Sequence, residues 1–252
     1  MDREQLLACA LDIGEQMLVS GAEVGRVESA VRFICDAYGC RRTDVFTITS
    51  SIVVSIEDAD GNHGTQTRRV TGTRTDLTRL HRLNALSREI CATKPEFTYV
   101  QQRLGQINAQ PPYPFWVECL GSSLIAASFA VFFGGSLADG LVAGVLGLLL
   151  RCCTGLLQKA AMNQVFVNAV SSFLLSLAAI CLVRMGIGAD TNKIIIGNIM
   201  LLIPGIALTN SLRDMISGDI MTGILRFFDA VLVAAAIAGG YILAAGLLGG
   251  AV

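Results

Sequence analysis

Five long apolar segments fill the second half of this sequence, and they constrain the fold more than any other feature. An α-helix needs about 20 apolar residues to cross the hydrocarbon core of a bilayer. The second and fourth segments are shorter than that, and both can gain length from apolar flanks such as residues 154–157. We therefore expect transmembrane helices at roughly residues 115–133, 137–150, 165–183, 194–208 and 228–248.

Most charged residues precede the first apolar segment. Of 19 lysines and arginines, 13 lie before Pro111, and of 20 aspartates and glutamates, 14 do. We therefore predict an α-helical membrane protein, with a cytoplasmic α/β (α+β) domain at residues 1–112 and a transmembrane bundle of about five helices at residues 113–252. The net charge of -1 leaves no basic stripe that could bind nucleic acid.

Hydrophobic periodicity predicts two helices at the start of the first domain. Apolar residues recur at helical spacing over residues 6–17 and again over residues 24–34. Ser20 and Glu23 fit a capping box that would begin the second helix, and Gly39 would end it.

A β-rich region and two further helices follow in the same domain. Residues 45–57 are rich in β-branched side chains and predict one or two strands, with residues 64–70 as a partner strand. Asp76 is suited to cap a third helix, and Pro95 to begin a fourth. These elements together predict a small α+β fold.

Residues that could perform catalysis or bind a metal lack the partners that such chemistry needs. The 8 cysteines form no CxxC pair, and His63 and His81 have no partner that the sequence can place. A calcium loop beginning at Asp58 would need a glutamate at its twelfth position, where Arg69 stands, so a hairpin turn is the better interpretation. No P-loop and no dinucleotide-binding glycine motif is present. We expect no enzymatic activity, no cofactor and no metal.

The placement of lysine and arginine predicts the orientation in the membrane. The N-terminal domain contains 13 of these residues and two later connections contain two each, whereas the opposite side contains two in all. We therefore expect a multi-pass protein of the inner or plasma membrane, with its N-terminus in the cytoplasm and its C-terminus outside. The cytoplasmic connections contain Arg151 with Lys159 and Arg213 with Arg226, and the opposite side contains Arg184 and Lys193.

Polar side chains in or beside the apolar segments are candidates for a substrate or ion pathway, because they are expensive to place in lipid. Pro204 removes a helical hydrogen bond and Gly205 loosens the next turn, so we expect the fourth span to be broken. Broken spans expose backbone groups that transporters use to hold small polar solutes and ions. The candidates are Asn198, Pro204, Gly205, Asn210, Arg213, Asp214, Asp219, Glu118, Asp139, Asn163 and Asn168.

The region after the break has two interpretations. If a helix resumes there, Asn210, Arg213 and Asp214 share one face at helical spacing. The alternative is a proline kink followed by an ordinary charged loop. Arg226 and Asp229, three residues apart, are predicted to form an ion pair at the membrane boundary.

Three stretches of the sequence resemble the threonine/serine exporter (ThrE-like) family, and the similarity covers nearly the whole chain. They are the junction Gly21-Ala22-Glu23 followed by Arg26-Val27-Glu28, the run SSIVV at residues 50–54, and the run LLIPGIALTNSLRDMISGDIMTGILRF at residues 201–227. The last run is the most specific of the three.

The resemblance implies a function and a partner. Members of that family combine a soluble cytoplasmic domain and about five spans with a second bundle, which is either fused or a separate subunit. This sequence ends after the fifth span, so the resemblance implies a second membrane subunit or a homo-oligomer. It implies a secondary exporter of threonine and serine, or of organic acids, that is driven by an ion gradient, and we expect this to be the proton gradient.

Two alternatives remain open from the sequence. One is an exporter subunit for succinate-type dicarboxylates, for which Arg213 is the cation closest to the break. The other is a membrane-anchored sensor or assembly factor that transports nothing, which would account for the large soluble domain. Proton coupling would need a titratable group in the pathway, and Glu118, Asp139 and Asp214 are the near candidates.

Overall fold

The computed structural model describes residues 2–111, 113–159 and 162–248. The chain divides into two compact units, and each of them takes up two separate stretches of sequence. The first, the α+β unit, comprises Met1–Pro111 and Ile206–Phe227; the second, the helical unit, comprises Pro112–Gly205 and Phe228–Val252. The described elements are α1 (Arg3–Val19), α2 (Val24–Ala37), β1 (Arg42–Ile48), β2 (Ser51–Glu57), β3 (His63–Arg69), α3 (Leu77–Thr93), α4 (Phe97–Asn108), α5 (Phe115–Phe132), α6 (Leu137–Lys159), α7 (Gln164–Arg184), α8 (Thr191–Ile199), α9 (Gly205–Ile216) and α10 (Ile220–Leu247).

An antiparallel three-stranded sheet in the order β1-β2-β3 forms one side of the α+β unit. The central strand alternates buried and partly exposed residues, with Ile52, Val54 and Ile56 on the buried face. This period of two places one apolar face against helices α1 and α2, whose buried residues belong to the same core. The predicted strands are confirmed, and residues 58–62 form the predicted hairpin turn.

The ends of the helices in this unit follow local sequence in two cases and not in a third. Asp76 caps α3 by accepting the Arg79 N–H at 2.9 Å, as predicted. Gly39 has φ +89° and directly follows the last turn of α2, as predicted for a helix end. The predicted capping box is wrong, because Ser20 donates its hydroxyl to the Gln16 carbonyl and Glu23, the N-cap, makes no capping bond with its side chain.

Four described helices are long and apolar enough to cross a membrane: α5, α6, α7 and α10. The predicted fourth span is not a single helix of that kind. Helix α8 ends at Ile199 and α9 begins at Gly205, with Pro204 directly before it. The break was therefore predicted correctly, whereas four long helices are seen in place of five.

Helix α6 is longer than the sequence predicted. It continues to Lys159, nine residues past the expected end at residue 150. At a rise of 1.5 Å per residue it measures about 34 Å, which is enough to cross a hydrocarbon core of about 30 Å. Arg151 therefore lies inside a candidate membrane helix, and its assignment to a loop was wrong.

Small residues allow helices α7 and α10 to pack closely in the helical unit. Gly240 lies directly against the backbone of Ala169, and the Ser172 hydroxyl donates to the Ile237 carbonyl at 2.7 Å. Because lipid offers no hydrophobic drive for helix association, such close backbone contact and interhelical hydrogen bonds stabilise the pair.

We expect Gly240→Ala to destabilise the protein and Gly239→Ala to leave it unchanged or slightly stabilised. A Cβ at Gly240 would overlap the Ala169 carbonyl oxygen and approach the Phe173 nitrogen at 2.9 Å, whereas a Cβ at Gly239 meets nothing within 4 Å. Overpacking of this kind costs about 1–3 kcal/mol. Thermal unfolding of the two variants in detergent tests this, and equal melting temperatures would contradict close packing of α7 on α10.

Candidate functional site

The N-terminus of helix α2 is capped by a residue from the far end of the chain. The backbone N–H of Val24 donates to Asp214 Oδ1 at 3.3 Å, across 190 residues of sequence. The first amides of a helix need such acceptors, and the neighbouring Glu23 side chain supplies none. Helix α9, which contains Asp214, is thereby bound to the turn between α1 and α2.

A buried ion pair completes this contact. Arg226 Nη1 lies 2.8 Å from Asp214 Oδ2, and the two side chains are 13% and 2% exposed. Arg226 also donates through Nη2 to the Ala22 carbonyl at 3.1 Å. Burial raises the pKa of Asp214 above its usual range, and the Arg226 guanidinium offsets only part of that effect. Each charge is therefore tied to the protein's own groups.

Two further residues of α9 bind the same turn. Arg213 pairs with Glu23, and Asn210 Nδ2 donates to the Gly21 carbonyl at 3.3 Å. We call Asn210, Arg213, Asp214 and Arg226, together with residues 21–24, the junction cluster. It joins the early glycine motif and the run at residues 201–227, which are far apart in the sequence.

The junction cluster changes the interpretation of several pathway candidates. Asn210, Arg213 and Asp214 lie in the α+β unit and bind backbone or side chains of the turn. The Asp219 N–H donates to the Asp214 carbonyl at 2.9 Å and closes the end of α9. Arg226 pairs with Asp214 rather than with Asp229, so the predicted boundary pair is wrong.

Two other candidates hold helix ends in the helical unit. The buried Asp139 carboxylate accepts the N–H groups of Ala189 at 2.6 Å and Asp190 at 3.0 Å, and the Ser136 hydroxyl at 2.7 Å. These bonds fasten the start of α6 to the loop before α8. The exposed Asn163 caps α7 by accepting the N–H of Val165 at 2.9 Å.

Asn198 is fully buried in α8. Its Nδ2 donates to the carbonyls of Ala143 at 3.1 Å and Ile194 at 3.0 Å. Its Oδ1 has no hydrogen-bond partner within the described part of the chain. A buried amide oxygen without a hydrogen bond destabilises the folded protein. Packing alone therefore does not explain why an asparagine stands at this position.

A polar cavity of about 230 Å³ lies among the helices of the same unit. Polar side chains from three helices and two leucines that follow α8 line it, so it adjoins the broken segment before Pro204. Among the predicted residues, Asn168 reaches it directly, and its Oδ1 accepts from Gln164 Nε2 at 3.1 Å. The lining residues are Ser122, Leu150, Arg151, Thr154, Gln158, Gln164, Asn168, Leu201 and Leu202.

Arg151 is the charged residue in the lining of this cavity. Its Nη2 donates to Glu118, and its Nη1 lies 3.5 Å from the Thr154 hydroxyl. The guanidinium also stands 5.6 Å from the centre of the Phe115 ring, within range of a cation–π contact. The predicted residue Glu118 therefore belongs to the cavity through Arg151.

The sequence contains a signal for this cavity in the spacing of polar residues along two helices. Arg151, Thr154 and Gln158 are spaced three and four apart on α6, which places them on one face of the helix. Gln164 and Asn168 are four apart on α7. A polar stripe at helical spacing inside an apolar helix indicates a wet interior.

The two residues at the break have structural roles that the sequence predicted. Pro204 is half-buried and ends the turn after α8, and the Gly205 N–H donates to the Ile203 carbonyl at 2.9 Å as α9 begins. No group of three or more potential metal ligands occurs among the described residues. The described lining of the cavity consists of hydrogen-bonding groups, three leucines and Arg151, which pairs with Glu118.

Comparison with known proteins finds relatives that are named as exporters and as a transporter subunit. Residues 8–248 match the family model of threonine/serine exporters, ThrE. The chain is 28% identical to the "Threonine/serine exporter" of Corynebacterium glutamicum over 92% of its length, and 24% identical to the "Probable threonine/serine exporter" of Mycobacterium tuberculosis over 95%. It is also 24% identical, over 94% of its length, to the "Probable succinate transporter subunit YjjP" of Klebsiella aerogenes. No solved structure matches the chain.

These relatives differ in how much of their own length is matched. The chain spans about half of the two exporters, 49% and 45%, but 90% of the succinate transporter subunit.

We expect Asp214→Ala to open the junction cluster. The change leaves Arg226 buried without its counter-ion and removes the cap of α2, and breaking a buried pair costs about 3–5 kcal/mol. Hydrogen exchange of the full chain in detergent would show lost protection at Val24 and the first turn of α2.

The control is Asp44→Ala. Asp44 pairs with Arg42 at 2.8 Å, but the side chain of Arg42 is 71% exposed and that of Asp44 is 60% exposed. Loss of this ion pair therefore costs about 1 kcal/mol or less of folding free energy. Unchanged protection of α2 in Asp214→Ala would show that the cap contributes nothing.

Proposed function

The chain belongs to the threonine/serine exporter family, and we propose that it is a subunit of a secondary transporter that exports small amino acids such as threonine and serine, driven by the proton gradient. The polar cavity of the helical unit is the observation on which this proposal rests. A cavity lined by amide, hydroxyl and guanidinium groups does not improve the packing of an apolar bundle. A transporter, in contrast, needs a polar cavity in which to bind its solute.

The size and chemistry of the cavity suit such a substrate. A volume of about 230 Å³ can hold several water molecules. A solute as small as threonine can take their place. The amides of Gln164 and Asn168 and the hydroxyls of Ser122 and Thr154 can bind its ammonium and hydroxyl groups.

Several pathway candidates support this proposal and others have different roles. We assign Asn168 and Glu118 to the cavity, and Pro204 and Gly205 to the break beside it. Asn198 is the buried amide nearest in sequence to that break, and its unpaired oxygen is consistent with a role in the moving part of the pathway. Asp139, Asn163, Asp219 and the junction cluster instead position helix ends.

Proton coupling is assigned to a carboxylate beside the cavity. Of the three candidates, Asp139 accepts several N–H and O–H bonds and Asp214 is sealed against Arg226. Glu118 is 24% exposed and pairs with Arg151 of the cavity lining, which supports it as the coupling group. The absence of any nucleotide-binding motif from the sequence fits a carrier that uses an ion gradient.

The membrane arrangement forms part of the proposal. We propose that α8 and the broken segment after it act as the fourth of five spans, with the N-terminus and the α+β unit in the cytoplasm and the C-terminus outside the inner or plasma membrane. A relative named as a transporter subunit, matched over 90% of its length, supports a second membrane subunit, for which a homo-oligomer is the alternative.

A dicarboxylate such as succinate is the second candidate substrate, because one relative is named a succinate transporter subunit. Among the described residues, Arg151 is the one cation in the cavity lining, and a second carboxylate would meet neutral amides and hydroxyls there. Lys159 lines an adjoining apolar groove together with Arg151. Burying an uncompensated carboxylate is costly, so the cavity favours a zwitterion.

The function is tested by reconstituting the chain in liposomes, with and without a candidate second subunit. We expect labelled threonine or serine to exchange across the membrane under an imposed proton gradient, more slowly in Asn168→Leu. Asn163→Asp, which keeps the cap of α7, is the matched control. Flux of succinate alone would reassign the substrate, and no flux from folded protein in either sample would favour a sensor or assembly role.

A further inference from the structure

We propose that Arg151 binds the carboxylate of the substrate and that Glu118 is its resident counter-ion, which the substrate carboxylate displaces. This inference rests on the proposed function and adds the residues and the exchange by which that cavity would hold its ligand. The ligand class is a small molecule with one carboxylate and neighbouring hydrogen-bonding groups.

Placing the charge of Arg151 within a membrane helix costs free energy, so its position points to a function. It lies eight residues before the end of α6, about 12 Å inside a candidate membrane helix. Charged residues within membrane helices almost always face the interior of a bundle or a water-filled cavity, so such an arginine is a candidate for function. The cavity lined by Arg151 is that interior.

The ion pairs Arg226–Asp214 and Arg151–Glu118 differ in access. Arg226 and Asp214 are 13% and 2% exposed, and both are held by backbone groups of the junction cluster. Arg151 and Glu118 are 22% and 24% exposed. Arg151 is therefore more accessible to an anion than Arg226, whose partner Asp214 is buried.

The guanidinium of Arg151 is positioned for a carboxylate. A guanidinium presents several N–H donors in a planar fork that matches two carboxylate oxygens. Its bond at Nη1, to the Thr154 hydroxyl, is long at 3.5 Å and is easily exchanged. The Phe115 ring, 5.6 Å from the guanidinium, supports it from the side.

Gln164 and Asn168 supply the second point of attachment. They are bonded to each other at 3.1 Å and line the same cavity as Arg151. Their amide groups can bind an ammonium or hydroxyl group on the carbon next to the carboxylate. A ligand bound at both points has the form of a small amino acid.

The proposed exchange predicts effects of opposite sign at the two partners. Arg151→Gln removes the group that the ligand carboxylate binds, whereas Glu118→Gln removes the competitor for that group. A purely structural ion pair behaves differently, because losing either partner disturbs the same contact and shifts binding in the same direction.

The test is calorimetric titration of the purified full chain in detergent with L-threonine and with L-threoninol, in which a CH₂OH group replaces the carboxylate. We expect the wild type to bind threonine at least tenfold more tightly than threoninol. Arg151→Gln should lose that preference, Arg151→Lys should keep part of it, and Glu118→Gln should bind threonine at least threefold more tightly with threoninol unchanged.

Arg184→Gln is the matched control, because Arg184 is another arginine of the helical unit and bonds the Leu248 carbonyl away from the cavity lining. This inference would be overturned if Arg151→Gln bound threonine as tightly as the wild type, or if Arg151→Gln and Glu118→Gln weakened binding equally. It would also be overturned if the wild-type protein bound neither compound. The exporter proposal would stand in each of these cases. Carboxylate-dependent binding without flux in liposomes would support this inference and overturn export.

Discussion

Every charged side chain that this protein buries needs a counter-ion or hydrogen-bonding groups around it. Much of the structure depends on which elements provide those groups. Asp139 is held by N–H and O–H donors, Asp214 by Arg226 and the first amide of α2, and Arg151 by Glu118. An unpaired charge in such surroundings costs several kcal/mol, so each of these contacts fixes the elements that provide it.

The way each charge is satisfied separates structural from functional roles. Asp139 and Asp214 are 1% and 2% exposed and bind backbone amides, so they act as fasteners of helix ends. The pair of Arg151 and Glu118 adjoins a cavity and stays partly open. Accessibility of a paired charge, rather than its mere presence in an apolar helix, is therefore the property that points to a ligand.

The sequence predicted a large part of this outcome. The strands around Ile52 and Val54, the cap at Asp76 and the break at Pro204 follow from alternation, capping chemistry and the missing proline N–H, which are all local effects. The candidate site was predicted less well. Arg151 was assigned to a loop because α6 was expected to end one residue earlier, and without a helix its spacing to Thr154 and Gln158 had no meaning.

By itself the sequence determined that this chain is a membrane protein with a charged α+β part, because lipid excludes charges and selects long apolar helices. Only the tertiary structure decided which polar residues meet. Asp214 and Val24 are 190 positions apart, and no local pattern links a carboxylate to a distant helix N-terminus. The helical spacing of three residues, Asn210, Arg213 and Asp214, predicted one face of a pathway. In the structure they bind the turn between α1 and α2, because folding brings the unsatisfied donors and acceptors of that turn next to α9.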